Sequence, residues 1–549
     1  MRTPLLLYAL ALGVRLLLIA HFPDPAYPDS FYYADVARAL HEGRGFSVDF
    51  VWIFAEVGGK LPANPFLPIA SNAHWMPLAS IVQLPFLAVF GEQAWAAALP
   101  FALLGALAAP LAWRIGVDAG TRRFVAVGAG VLAAVPALAT PFVAQPDNFG
   151  LYEPAVAGAL WLTARALKGE RHARRDYALA GLLVGLATLA RNDGVLVGGV
   201  VGLAFAWDRW RAWRSAGERA PRIPFGAAVA CVALFALCVV PWFARQLAVF
   251  GSLSPSTASG KVLFIRDIGE WNSITTPATL DHLLGMGIGP LLATRLEGFV
   301  AAVTIFSVLV GAVVLVPFML VGGWRRRRSV DFGPFFGYAI VLFAFSAIVS
   351  AIHVPGGTFI HSAIALAPHA YVLALEGIFV AAGWVAARRR RWSAEGAGRV
   401  FGAAAIAFAL VVGVGGSLSV HATWSDAAFR FRQVAAALEA AGAAPDDRVM
   451  SIDASGTKYW TGHGGVVLVD DPLPAIEQVA RAYDIRWLVL DRADTVAAVA
   501  PVIDGTARPS WIGPVGLEFN DGISPAVGDD RAGGLYPVCF DRGDTRCAP

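Results

Sequence analysis

Residues 224–248, PFGAAVACVALFALCVVPWFARQLA, contain one charged side chain, Arg245, and follow the basic run Arg209, Arg211, Arg214, Arg219 and Arg222. A bilayer-crossing helix needs ~20 mainly apolar residues, and short loops rich in Lys and Arg mark the cytoplasmic side. The same alternation continues in both directions. Apolar segments stand at 4–20, 75–91, 94–113, 124–143, 151–167, 177–190, 194–207, 297–322, 333–352, 364–387 and 400–420. Four more basic clusters fall between them: Arg114 with Arg122 and Arg123; Lys168, Arg171, Arg174 and Arg175; Arg325 to Arg328; and Arg388 to Arg391. The fold class is mainly α, a polytopic membrane helical bundle of about eleven spans. Segment 75–91, with Pro77 and Pro85, is the one expected to be irregular.

Composition agrees. The chain is 57% hydrophobic and 15% charged, with a mean hydropathy of +0.60, against roughly a quarter charged in a soluble protein. A net charge of +3 provides no electrostatic footprint for nucleic acid, so no nucleic-acid partner is expected. Arg2 precedes an apolar start that resembles a signal peptide, but His21-Phe22-Pro23-Asp24 is no cleavage site and the segment reads as a retained first helix. Cys231 and Cys238 lie in an apolar run as inert thiols, whereas Cys539 and Cys547 could pair in an oxidising compartment.

With all five basic clusters cytoplasmic, the N-terminus is inside, in a multi-pass cell-membrane protein. Loops 21–74 and 249–296 and everything after residue 420 then face outward. The expected domains are a membrane domain over 1–420 and a soluble extracytoplasmic α/β domain over 421–549. In the latter, a helix at 425–442 leads to strands 448–453, 465–470 and 485–491, which alternate with helices 474–483 and 494–503 around a parallel sheet. The last 45 or so residues read as irregular. In the first outer loop, Phe31 to His41 suits a helix lying along the membrane surface.

No phosphate loop, dinucleotide fingerprint or His-Glu-x-x-His helix is present. Chemistry must therefore come from isolated outward residues. Asp29 either caps the helix that follows or serves as a carboxylate taking a proton from an acceptor hydroxyl or amine. Asp147, in Gln145-Pro146-Asp147-Asn148-Phe149, presents the same two options, and Glu153 could join it nearer the membrane. Arg191-Asn192-Asp193-Gly194 breaks an apolar stretch, and Arg191 could bind phosphate or pair with Asp193. Lys261, Arg266 and Arg295 are further phosphate candidates. His74, His353, His361 and His369 fall near outer helix ends, with His353 and His361 flanking Pro355-Gly356-Gly357-Thr358. Asp470-Asp471 reads as a strand end turning at Pro472. Outward carboxylates and cations beside a bilayer suit a lipid-phosphate substrate whose tail stays in the membrane. The sequence neither requires a divalent metal nor excludes one.

In order along the chain, these motifs resemble the C-type integral-membrane glycosyltransferases, in the protein O-mannosyltransferase and aminoarabinose transferase branch. The resemblance rests on Asp29, Tyr32, Tyr33, Ala34, Ala37, Leu40 and Gly43-Arg44-Gly45-Phe46; on His74-Trp75-Met76-Pro77-Leu78; on Asp147; and on Arg191 to Gly194. It implies a polyprenyl-phosphate sugar donor and inverting transfer on the outer face of the membrane. Asp29 would be the base or the acceptor-orienting carboxylate and Asp147 would assist positioning, with basic residues stabilising the departing phosphate. At the first-loop motif a lone Asp29, followed by Ser30, stands where the O-mannosyltransferases carry an Asp-Glu pair, and the His74–Leu78 motif is degraded. The acceptor could therefore be an envelope glycolipid or glycan as well as a protein. The rival reading is a multi-span transporter or lipid flippase, which predicts mid-helix charges and internal repeats.

Overall fold

Leu5, Leu6 and Leu17 on the opening helix Arg2–His21, and Val232 and Leu237 on the helix Phe225–Phe250, are exposed despite being strongly apolar. Water would penalise that surface by roughly 25 cal/mol per Å². Lipid does not, and a helix satisfies its own backbone groups in hydrocarbon. The computed structural model describes residues 2–169, 172–215, 219–253, 263–349, 358–389, 392–492, 494–519 and 533–540. Among these, seven helices are long and apolar enough to cross a membrane: Arg2–His21, Ala94–Asp118, Phe225–Phe250, Ile288–Leu309, Val330–Val349, Phe359–Ala386 and Ala394–Ala440. An eighth is reached if Arg123–Ala134 and Ala137–Ala144, bent by 53°, count as one span. The expected count of about eleven is not confirmed. Helices Phe149–Lys168, Ala173–Ala190 and Val195–Arg214 have spanning length but carry charged side chains inside their ends. Segment 75–91 breaks, as its prolines imply, into Leu78–Ile81 and Leu84–Phe90.

The chain divides into two compact units. The first comprises residues 1–24, 75–245 and 294–420, and the second comprises 25–74, 246–293 and 421–549. In the first unit, small residues let helices approach closely. A Cβ on Gly322 would lie 1.9 Å from the Leu373 carbonyl oxygen, and one on Gly377 would lie 1.9 Å from that of Phe318. Helices Val316–Arg326 and Ala367–Ala386 therefore pack backbone to backbone, with Arg326 clamped on Glu376. The basic clusters are joined to one another by direct contacts. Arg122 pairs with Glu395 at 3.1 Å, Lys168 with Asp331, Lys168 Nζ donates to the Asp118 carbonyl at 2.8 Å, and Arg222 donates to the Leu167 carbonyl at 2.9 Å. All five thus share one face of this unit. Arg15 and Glu153 are fully buried inside it, away from the ends of their helices.

The second unit is built on a six-stranded sheet. Its strands are β2 (Phe50–Val51), β4 (Arg448–Ser451), β5 (Gly465–Val467), β6 (Ile485–Asp491), β7 (Leu517–Phe519) and β8 (Gly533–Pro537), while β1 (Ser47–Val48) and β3 (Ile69–Ala70) form a separate antiparallel pair. The order is β2-β5-β4-β6-β8-β7, parallel from β2 to β6 and antiparallel beyond. Val434, Ala437 and Leu438 of the long helix Ala394–Ala440 pack with Val449, Trp487, Val489 and Leu535 of the sheet. Three expectations are corrected. The residues read as irregular include β7 and β8, which extend the sheet. A helix over Ala454–Thr461 intervenes between β4 and β5. The helix of the first loop, Pro28–His41, buries Phe31, Tyr32, Tyr33, Val36 and Ala37 within this unit instead of laying an exposed face on lipid. Cys539 is disulfide-bonded; Cys547 lies outside the described residues.

Candidate active site

In the first unit, Asp147 is fully buried where the 3-10 helix Ala137–Ala144 gives way to Phe149–Lys168. Asn148, not Asp147, is the N-cap residue of the second helix, and Asp147 Oδ1 accepts the Asn148 amide at 2.5 Å. Its other oxygen, Oδ2, pairs with His361 Nε2 at 3.2 Å, and the His361 ring lies 4.5 Å from that of Phe149. A buried carboxylate costs several kcal/mol unless paired, and here the imidazole supplies the partner.

The next residue, Ser362, donates to Asp193 Oδ2, while Arg191 Nε donates to Asp193 Oδ1 at 3.0 Å. The short helix Thr358–Ala363 thus brings consecutive side chains to two different acids. Arg191 thus makes the pairing with Asp193 that the sequence offered as one of its two roles. Gly194 permits the turn, since a Cβ there would fall 2.5 Å from the Ala187 carbonyl. The Arg191 guanidinium stands 5.9 Å from the centre of the Tyr152 ring, and the Tyr152 and Tyr338 hydroxyls are hydrogen-bonded at 3.0 Å. The result is two polar clusters, Asp147 with His361 and Asp193 with Ser362 and Arg191, joined through the chain at His361–Ser362, with the Tyr152–Tyr338 pair beside Arg191. Glu153 is fully buried with no hydrogen bond to either oxygen, and its nearest opposite charge is Arg15. His369 is buried and stacked on Phe335 at 5.2 Å, a core histidine.

In the second unit, Asp29 occupies the first turn of Pro28–His41. Tyr27 is the N-cap, and Ser30 Oγ, at the third helical position, accepts the Ala26 and Tyr27 amides at 2.9 and 3.0 Å. Tyr32, on the same helix, donates to Glu56 Oε1 at 2.5 Å and accepts the Asn72 amide at 2.7 Å. Burial first, and then Glu56, hold its phenol well above the usual tyrosine range. The Asn72 carbonyl in turn accepts from Gln246 Nε2 at 2.8 Å. His74 lies 6.4 Å from both Phe54 and Trp271, whose rings are 4.6 Å apart. Arg266 directs Nε and Nη2 at the His282 carbonyl, while His282 Nε2 meets Glu270 at 2.9 Å. Asp471 lies beyond the end of β5, not at it as expected, and its carboxylate accepts from the Ser273 hydroxyl, the Ile274 amide and the Thr275 hydroxyl. Lys261 and His353 lie outside the described residues.

Sequence reasoning missed Tyr152, Tyr338 and Ser362 because each sits in an apolar run where a single hydroxyl carries no pattern. Ser362 was detectable only as the residue following His361.

Residues 74–243 match the family model described as dolichyl-phosphate-mannose-protein mannosyltransferase. No curated protein gives a significant match by sequence. Among solved structures, ArnT from Cupriavidus metallidurans aligns in its apo state with a TM-score of 0.53 at 14% identity, covering 97% of both chains. The same protein bound to undecaprenyl phosphate aligns at 0.51 and 16%, covering 99% of both. The archaeal oligosaccharyltransferase AglB from Archaeoglobus fulgidus, in complex with an inhibitory peptide and a dolichol-phosphate, aligns at 0.56 and 14%, covering 89% of this chain and 69% of its own. The chain has the fold of the C-type integral-membrane glycosyltransferases of the protein O-mannosyltransferase and ArnT-like branch, and over residues 74–243 it matches that family's sequence model.

Proposed function

We propose that this protein transfers a sugar from a polyprenyl-phosphate donor to an envelope glycolipid, glycan or protein acceptor on the outer face of the membrane, with inversion at the anomeric carbon. The observation that carries the reading is that the family match over 74–243 contains both buried acids, Asp147 and Asp193. The two neighbouring proteins with lipid bound hold a phosphate on a polyprenyl tail, which is the chemistry assigned here to the donor.

In this scheme Asp29 takes a proton from the acceptor hydroxyl or amine. The freed atom bonds to the anomeric carbon as the carbon–oxygen bond to the lipid phosphate breaks, and the polyprenyl phosphate leaves with the negative charge. Asp147, held by His361, assists positioning. Arg191, Lys261 and Arg266 offset the charge on the departing phosphate, while His74, His353 and Glu153 complete the proposed substrate-binding set. Arg266 has Nη1 to offer, since its other two nitrogens hold the His282 carbonyl. The N-terminus is assigned to the cytoplasm and the residues after 420 to the outside, an assignment supported by the common face of the five basic clusters.

Purified protein in liposomes, given radiolabelled polyprenyl-phosphate sugars and an envelope extract, tests this directly. Label moving to the extract with release of polyprenyl phosphate is the expected result. Movement of the labelled lipid across the bilayer with its sugar still attached would establish the transporter or flippase reading instead.

A further inference from the structure

Asp29 lies in the first turn of its helix, so its carboxylate is placed by whatever holds the start of Pro28–His41. Ser30 fixes the turn from within, and several further contacts come from residues beyond 420. The Tyr27 ring lies 5.8 Å from Trp424, and Phe31 is sandwiched between Phe431 at 5.7 Å and Tyr459 at 5.4 Å. Arg38, further along the helix, sits 4.3 Å over the Tyr459 ring. Ser455 is fully buried, and its hydroxyl proton is shared between Asp453 Oδ1 at 2.8 Å and the Pro28 carbonyl at 3.2 Å, directly before Asp29. Asp453 is held as the N-cap of Ala454–Thr461 by the Gly456 amide at 2.8 Å. Gly456 is required here, because a Cβ would stand 2.6 Å from the Phe431 ring.

We propose that the C-terminal segment positions Asp29, with Ser455 and Tyr459 as positioning residues that act through it. The proposal rests on the reading of Asp29 as the base. Neither residue contacts substrate in this scheme. Ser455 fixes the carbonyl that precedes Asp29, and Tyr459 forms one wall of the Phe31 socket two residues after it. A transfer that needs reacting atoms within near-attack distance can lose up to ~10²-fold from a displacement of about 1 Å, so a small release of this turn is enough to be seen in the rate.

The test is a double-mutant cycle on the full-length protein in liposomes, following sugar transfer from the labelled donor. Ser455→Ala is expected to lower kcat ~10-fold with the donor KM and the melting temperature unchanged, and Ser455→Thr to restore most of the loss. In an Asp29→Asn background, Ser455→Ala is expected to have no further effect, because residues acting as a unit are not additive. Tyr459→Leu, carried through the same cycle, covers the case in which Ser455→Ala fails to fold. Full kcat in a folded Ser455→Ala protein, or an equal loss in both backgrounds, overturns the proposal. Near-normal transfer by Asp29→Asn alone overturns the assignment of Asp29 instead, a result distinguishable from the first because it appears without any change at Ser455.

Discussion

Asp29 and Ser30 stand side by side in the first turn, where Ser30 Oγ accepts the Ala26 and Tyr27 amides, and Asn serves at a helix start as well as Asp does. Asp29→Asn should therefore leave the melting temperature unchanged while transfer falls by at least ~100-fold, as expected when a general base is lost. Paired transfer assays and thermal unfolding in detergent check both halves, and near-normal transfer would send the search for the base elsewhere. Asp147 poses a different problem, since its carboxylate holds His361 in a buried position. Asp147→Asn keeps the size but weakens the pairing. Transfer is expected to fall ~10-fold or more through misplacement, with expression retained. A variant that transfers normally would show that the Asp147–His361 pair is dispensable for the reaction.

Helices Val316–Arg326 and Ala367–Ala386 meet where Gly377 and Gly322 leave no room for a methyl group. Gly377→Ala should force them apart, loosen Arg326 from Glu376, and destabilise the protein by ~2 kcal/mol or more, as overpacking does. Gly383→Ala, with nothing within 4 Å of the new Cβ, is the matched control and should melt like the unaltered protein. Asp35 sets a pH dependence in the Pro28–His41 helix. Its side chain is about 10% exposed, and its carboxyl is pushed from 3.8 to about 7, chiefly by burial. Arg38 and Lys458 oppose the shift, while Asp49 and Asp453 add to it. The folded pKa lies above the unfolded one, so the associated stability is complete below the unfolded value and lost as pH rises through about 7. Three units correspond to about 4 kcal/mol as an upper scale. The stability advantage of Asp35→Asn over the unaltered protein should thus grow from pH 5 to 7 and level off above it. Denaturant titrations across that range that gave a constant difference would refute this.

The five basic clusters, brought together through Arg122–Glu395, Lys168–Asp118, Lys168–Asp331 and Arg222–Leu167, predict a single cytoplasmic face. In a background lacking Cys231, Cys238, Cys539 and Cys547, exposed cysteines from Arg328→Cys and Asp446→Cys should label oppositely in intact cells, with the impermeant reagent reaching only the second. Equal labelling would reverse or dissolve the orientation. At this scale the sequence alone determined the membrane helices around residue 225, the broken segment 75–91, the strands β4, β5 and β6, and the candidate acids Asp29 and Asp147. Each is written in local periodicity, proline placement or a lone charge between apolar runs. Tertiary structure alone decided that Phe50 and Val51 of the first loop pair with Gly465 and Val466 of the tail, and that β8 returns antiparallel to β6. It likewise decided that His361 and Ser362 reach Asp147 and Asp193. Strand pairing and buried polar contacts depend on partners far apart in the chain, and closing such loops leaves no mark in the local spacing of either partner. Hydropathy thus fixed which segments leave water, while packing fixed which polar side chains they place together.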